Sequence, residues 1–169
     1  MRDCRLIAGL LLASLLAATP AAAETKLGDL AGTWTGRGTD RDTPMATAQP
    51  TQCRARVTAD QTRLTSDMTC NGQAGLMKQV RLAVTLRGTR FTGTAEQTSS
   101  TRGSNAAPKR RSGTVTGTRR GDTAVLTVRF PGLTPNATVT MELTSPTSFG
   151  LTVSTLGSTL TRVDFTRPR

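Results

Sequence analysis

Along most of the chain beyond residue 30, apolar residues recur at every second position, a period that predicts half-buried strands. The stretch 51–72 shows it twice. Cys53, Ala55 and Val57 alternate with Arg54, Arg56 and Thr58, and Leu64, Ser66, Met68 and Cys70 alternate with Thr65, Asp67 and Thr69. Folding the stretch about residues 60–63 sets Val57 against Ser66, Ala55 against Met68 and Cys53 against Cys70, all on one face. Directly opposed residues of an antiparallel pair lie roughly 4.5 to 5.5 Å apart at Cα, within the roughly 4.4 to 6.8 Å that a disulfide bridges. The hydrophobic pattern and the cysteine spacing therefore propose the same register, with a Cys53–Cys70 bond closing the hairpin.

The same pattern continues on either side. In 30–38, Gly32, Trp34 and Gly36 share a face, while 39–50 has no period, carries Asp40, Asp42, Pro44 and Pro50, and reads as a long loop. In 76–87, Val80, Leu82, Val84 and Leu86 face one way. Gly88-Thr89 is a two-residue turn, and 90–98 returns with Phe91, Gly93 and Ala95 inward, so that Leu86 meets Phe91. Residues 99–111, SSTRGSNAAPKRR, read as a loop with a basic end. Strand 112–118 then turns at 119–122 and returns as 123–130, which sets Val115 against Leu126. Segments 137–144, 149–155 and 160–167 complete the chain. The pattern amounts to nine strands, or eight if the short 149–155 segment is a bulged continuation of a neighbour. Short connections between sequence neighbours predict an all-β, antiparallel up-and-down meander. Closing it into a barrel removes both edges, and a two-sheet sandwich is the alternative.

Residues 1–23 have Arg2 and Arg5, an apolar run over 6–18 and an Ala-x-Ala end at Ala23. These are the parts of a secretory signal, which predicts a single mature domain over 24–169, periplasmic or secreted, with no transmembrane segment after cleavage. Cys4 leaves with the leader, and the even pair that remains suits an oxidising compartment. Threonine supplies 33 of the 169 residues, which favours strands, and the five aromatic residues include no tyrosine. Removing Arg2, Arg5 and Asp3 takes 22 basic and 11 acidic residues to 20 and 10, leaving a mature net charge of +10. A surface so charged attracts polyanions.

The Gly32-Thr33-Trp34 triplet resembles the Gly-x-Trp of the first strand in calycins, the superfamily of lipocalin and avidin barrels. Phe165-Thr166-Arg167 resembles the last avidin strand, whose terminal basic residue packs on the first-strand Trp. The resemblance implies a calycin-like barrel in which Trp34 plugs one end and Arg167 lies over its ring by cation–π attraction. Biotin binding does not carry over, because this chain has one Trp and no Tyr. The segment 29–34 followed by two cysteines is also similar to the small periplasmic inhibitors of secreted bacterial metalloproteases, barrels with one disulfide whose N-terminal tail enters the protease cleft. The matching tail here is 24–29.

Histidine is absent, which removes Ser-His and Cys-His relays and the commonest metal ligand. Asp40 and Asp42 stand beside Arg37 and Arg41 and read as solvated ion pairs, while alternation turns Glu96 and Glu142 outward. Neither an enzyme nor a cofactor or metal site is expected. Asn136-Ala137-Thr138 has the form of a glycosylation acceptor. The candidate polyanion-binding residues are Arg102, Lys109, Arg110 and Arg111 in one loop, with outward Arg54, Arg56, Arg81, Arg87 and Arg129 on the walls. Acidic polysaccharide, lipopolysaccharide, anionic lipid headgroups and released nucleic acid all fit such a surface. Sequence-specific nucleic-acid reading does not, for want of an aromatic platform. Inward Gly93, Ala95, Gly113, Gly117 and Ala124 allow two readings: a cavity for a small apolar ligand, or a narrow, strongly coiled barrel filled by Met68, Leu82 and Phe91. The functional expectations are thus a polyanion-binding module, a protease inhibitor acting through its tail, and an apolar-ligand carrier.

Overall fold

The period-two pattern becomes ten strands in the computed structural model, which describes residues 26–132 and 135–168; the leader at 1–23 lies outside the described residues. The strands are β1 (Gly32–Asp40), β2 (Gln49–Ala59), β3 (Arg63–Gly72), β4 (Leu76–Arg87), β5 (Arg90–Thr101), β6 (Lys109–Arg120), β7 (Thr123–Arg129), β8 (Ala137–Ser145), β9 (Ser148–Thr155) and β10 (Ser158–Thr166). Each pairs antiparallel with its sequence neighbour, and β1 pairs with β10, so the meander closes into a barrel. The strand count is ten rather than eight to nine. Each of the ten alternating segments is a separate strand, the short 149–155 segment included, because the backbone of that segment pairs with β8 on one side and β10 on the other.

The cysteine hairpin has the register that its pattern proposes: Val57 opposes Ser66, Ala55 opposes Met68, and Cys53 is disulfide-bonded to Cys70. Its turn is held by Asp60, whose Oδ1 accepts hydrogen bonds from the backbone N–H groups of Thr62 and Arg63, each at 2.7 Å. Those two bonds hold the Asp60 carboxyl below its usual pKa. Leu86 opposes Phe91. Three expected boundaries move. Val115 opposes Val128 and not Leu126, because the β6–β7 turn is the two residues Gly121-Asp122 rather than four, which shifts the partners by two. β1 runs on to Asp40 and β2 starts at Gln49, with Thr39 opposite Pro50, so the loop between them is shorter than 39–50. β5 and β6 likewise continue through Ser99 and Lys109, which oppose each other, and cut the loop to 102–108.

One barrel end is plugged. The segment before β1 is a 3₁₀ helix, Leu27–Leu30, whose two leucines are 5% and 4% exposed. The backbone carbonyl of Leu30 accepts a 2.9 Å hydrogen bond from the Trp34 indole N–H. Trp34 meets Phe149 edge-on at 4.8 Å between centroids, and Phe149 stacks on Phe165 at 4.7 Å. Arg167 covers the Trp34 ring at 4.7 Å and donates from Nη2 to the Asp29 carbonyl oxygen. Gly32 adopts φ +140°, a region that L side chains disfavour, and sits against the Arg167 guanidinium. Residues 26–29 are therefore docked rather than free.

The interior is filled. Beneath the plug is a cavity of about 20 Å³ lined by Leu27, Leu64, Val84, Phe91 and Leu126, room for a single water. The small inward residues have a different role from lining a ligand space: a Cβ on Gly93 would overlap the Ala83 carbonyl oxygen, and one on Gly38 the Arg162 carbonyl oxygen. These glycines let neighbouring strands coil tightly around a narrow core.

Candidate functional site

At the opposite end the inward positions change character. Along β4 the inward face passes from Leu86, Val84, Leu82 and Val80 to Lys78; along β5 from Phe91, Gly93 and Ala95 to Gln97 and Ser99; and along β6 from Val115 and Gly113 to Arg111 and Lys109. Backbone pairing continues through all of them, so the barrel wall is intact while its lining turns polar. The result is a cleft of about 400 Å³, lined by these five polar residues together with Asp42, Ser100, Ser104 and Thr101. That volume is within the range of small-molecule sites.

Lys78 organises the floor. Its Nζ lies 2.5 Å from Asp40 Oδ2 and 2.9 Å from Asp42 Oδ1. The other Asp40 oxygen accepts from Thr161 Oγ1 at 2.6 Å. Burial disfavours the Lys78 charge, but the hydrogen bonds and charges of the two aspartates outweigh it and hold its pKa above the usual value. Asp40 and Asp42 are thus not solvated pairs with Arg37 and Arg41. Alternation from Trp34 through Gly36 and Gly38 carries Asp40 to the barrel interior, where the inward cation of β4 meets it. The parity of Lys78, Gln97 and Ser99 with Val80 and Ala95 was the sequence signal for this polar end.

Lys109 and Arg111 occupy alternate positions of a strand, not of a loop, and both line the cleft. Among the described residues neither has a carboxylate within salt-bridge distance. Arg110, between them, points to the outer face and is exposed. Arg102 is at the rim, where its backbone N–H donates to the Gly75 carbonyl oxygen at 2.8 Å. The structure therefore gathers Arg102, Lys109 and Arg111 at the mouth.

The wall arginines are scattered. Arg56, Asp67, Arg81 and Glu96 oppose one another in turn across β2 to β5, an alternating ladder in which Arg81 Nε lies 3.1 Å from Asp67 Oδ2. Hydrogen bonds from Gln79 and then Arg81, against some desolvation, hold the Asp67 carboxyl below its usual pKa. Arg54 opposes Thr69, Arg129 opposes Thr114, and Arg87 opposes Arg90 near the plugged end. No group of three or more Cys, Asp or Glu side chains arranged to hold a metal occurs among the described residues, and no helix of the described residues is long and apolar enough to cross a membrane. No protein-family model matches the chain, and no curated protein matches it.

Proposed function

We propose that the protein is an exported, non-enzymatic binding module that takes an acidic, hydroxyl-bearing ligand of the acidic-polysaccharide class into the polar mouth of its barrel. One observation carries this reading: Lys109 and Arg111 line, side by side, a cleft whose other cation, Lys78, is already paired with Asp40 and Asp42. These three cations and two aspartates leave the cleft with a net charge of +1. Lys109 and Arg111, without a carboxylate within salt-bridge distance among the described residues, stand among serine, threonine and glutamine side chains. Cations of that kind attract carboxylate or sulfate, and the neutral donors and acceptors suit sugar hydroxyls. The absence of histidine and the engagement of Asp40 with Lys78 and Thr161 favour binding over acid–base chemistry.

Export is part of the same reading. It is supported by the leader-like residues 1–23 and by the Cys53–Cys70 disulfide, a bond of oxidising compartments. Kinship with the calycins is supported by Gly32-Thr33-Trp34 at the start of β1 and Arg167 over Trp34. The other two readings have less behind them. An apolar carrier needs more than a cavity of about 20 Å³, and a tail inhibitor needs residues that Leu27 ties into the core.

The test is titration calorimetry with oligogalacturonate and with a neutral oligosaccharide of equal length. Wild type should bind only the acidic sugar, with affinity falling steeply as salt is added. Lys109→Ala/Arg111→Ala should weaken it at least tenfold, and unchanged affinity in that variant, or equal binding of the neutral sugar, sinks the reading.

A further inference from the structure

A second basic feature lies at the plugged end, on the outside of the barrel. Arg63, Arg87, Arg90 and Arg120 are all exposed and all occupy outward positions, one on each of β3, β4, β5 and β6. Register ties them into one chain. Arg63 opposes Thr85, two residues from Arg87; Arg87 opposes Arg90 directly; and Arg90 opposes Thr118, two residues from Arg120. Directly opposed Cα atoms are roughly 5 Å apart and diagonal neighbours roughly 7 to 8 Å, so each arginine adjoins the next across about 14 Å of wall.

The same wall shows what a compensated ladder looks like. In the Arg56, Asp67, Arg81, Glu96 row every arginine faces an acid. In the plugged-end group Arg87 and Arg90 face each other, Arg90 also faces Thr118 and Arg120 faces Thr123. Arg63 faces Asp60 across the hairpin turn, yet none of the four has a carboxylate within salt-bridge distance among the described residues. Asp60 stands across its own turn from Arg63, spends Oδ1 on the N–H groups of that turn, and has its pKa held low by those bonds and also by the Arg63 charge, so the least compensated part of the row is the Arg87–Arg90 pair. Like charges directly opposed across a strand pair are destabilising, so the Arg87–Arg90 pair is a cost that packing does not explain.

We infer that this arginine row is a docking surface for a phosphate-bearing lipid layer. Guanidinium groups present planar donor forks matched to phosphate oxygens, with the interleaved Thr85, Thr92 and Thr118 as further hydroxyl donors. The outer wall of a barrel is convex, so four forks spread along it touch a plane of headgroups at several points and do not enclose a small molecule. A protein docked this way has its plug towards the lipid and its polar mouth away from it, free to hold a ligand. The surface is separate from the mouth, and Lys109 and Arg111 take no part in it.

The experiment is co-sedimentation of the full protein with vesicles of phosphatidylglycerol in phosphatidylcholine, against vesicles of phosphatidylcholine alone. Wild type should sediment only with the anionic vesicles at low salt. Arg87→Gln/Arg90→Gln should weaken binding roughly 25-fold, at about fivefold for each arginine. Arg54→Gln/Arg56→Gln, which removes the same charge elsewhere, should weaken it less than threefold. The Arg87/Arg90 variant should melt at or above the wild-type temperature, and Arg63→Gln/Arg120→Gln serves as the second pair should the first fail to fold. Equal losses in the plugged-end and Arg54/Arg56 variants, no vesicle binding by wild type, or complete release by millimolar inorganic phosphate would each overturn the inference.

Discussion

Lys78 and Asp40 sit on strands that are not neighbours, β4 and β1, yet their side chains meet at 2.5 Å inside the barrel mouth. The strands between them, β2 and β3, carry the disulfide, whose Cys70 stands directly opposite Lys78. The ion pair is therefore a strut across the open end, reinforced by Asp42 from the loop after β1 and by Thr161 from β10. It holds four parts of the chain together at the open end.

Breaking the strut should cost stability. Lys78→Met leaves Asp40, whose side chain is 12% exposed, without its counter-charge. A fully buried pair broken in this way costs about 3 to 5 kcal/mol, and partial exposure reduces that, so about 2 kcal/mol is expected in urea unfolding. The pH dependence has a definite sign. The Lys78 pKa is raised above 10.5 in the folded state, so its contribution is fully present below pH 10.5 and is lost as pH rises through the folded value. Wild type should lose stability in that alkaline window more steeply than Lys78→Met, and parallel curves would contradict the assignment.

The disulfide should be structural only. It closes a loop with a sequence separation of 17, for which the chain-entropy estimate is about 3 kcal/mol. In a core with few aromatic residues that is a large share of a typical margin. Cys53→Ala/Cys70→Ala should lower the denaturant midpoint accordingly, while the folded fraction binds acidic sugar as wild type does. A binding loss at unchanged stability would place the bond in the site instead.

The plug can be tested through Leu27, 5% exposed and packed over the interior cavity. Leu27→Ala should cost about 2 to 4 kcal/mol. A change within about 0.5 kcal/mol, the scale of surface substitutions, would mean that the segment before β1 is loosely held and free to act elsewhere.

Strand-forming alternation made most of this fold legible, because most apolar residues inside the barrel alternate with Thr, Arg or another polar residue outside. Cys53 with Cys70 and Leu86 with Phe91 follow from that alone. The pattern failed where the interior itself turns polar. Lys78, Gln97, Ser99, Lys109 and Arg111 keep the inward parity of Val80, Ala95 and Val115, but an apolar criterion passes over Lys78 and Gln97 within their strands, and it leaves Ser99, Lys109 and Arg111 in the stretch 99–111 that reads as loop. The candidate site was hidden by the same rule that revealed the barrel. Turn length was the other gap: two or four residues between β6 and β7 give equally good apolar faces, and only backbone pairing selects Val128 as the partner of Val115. Leu27 was missed because one turn of 3₁₀ helix has no period to detect.

Glycine supplies the sharpest contrast for a stability measurement. Inward glycines are ambiguous in a sequence, since they fit either a cavity or a tight coil, and a methyl group distinguishes the two. On Gly93 a Cβ would run into the Ala83 carbonyl oxygen and lie 2.8 Å from the Val84 Cα, both of them backbone atoms that cannot swing aside. Gly93→Ala should therefore destabilise by about 2 to 3 kcal/mol, as overpacking does. Gly150, on β9, is the control: the nearest atom to its Cβ would be the Asp164 Oδ1 at 3.6 Å, an ordinary contact. Gly150→Ala should change stability little, or raise it by a few tenths of a kcal/mol through the less flexible unfolded chain. If thermal unfolding instead showed Gly93→Ala to be neutral, the space beside Gly93 would be open, and an apolar ligand in the barrel would regain its footing.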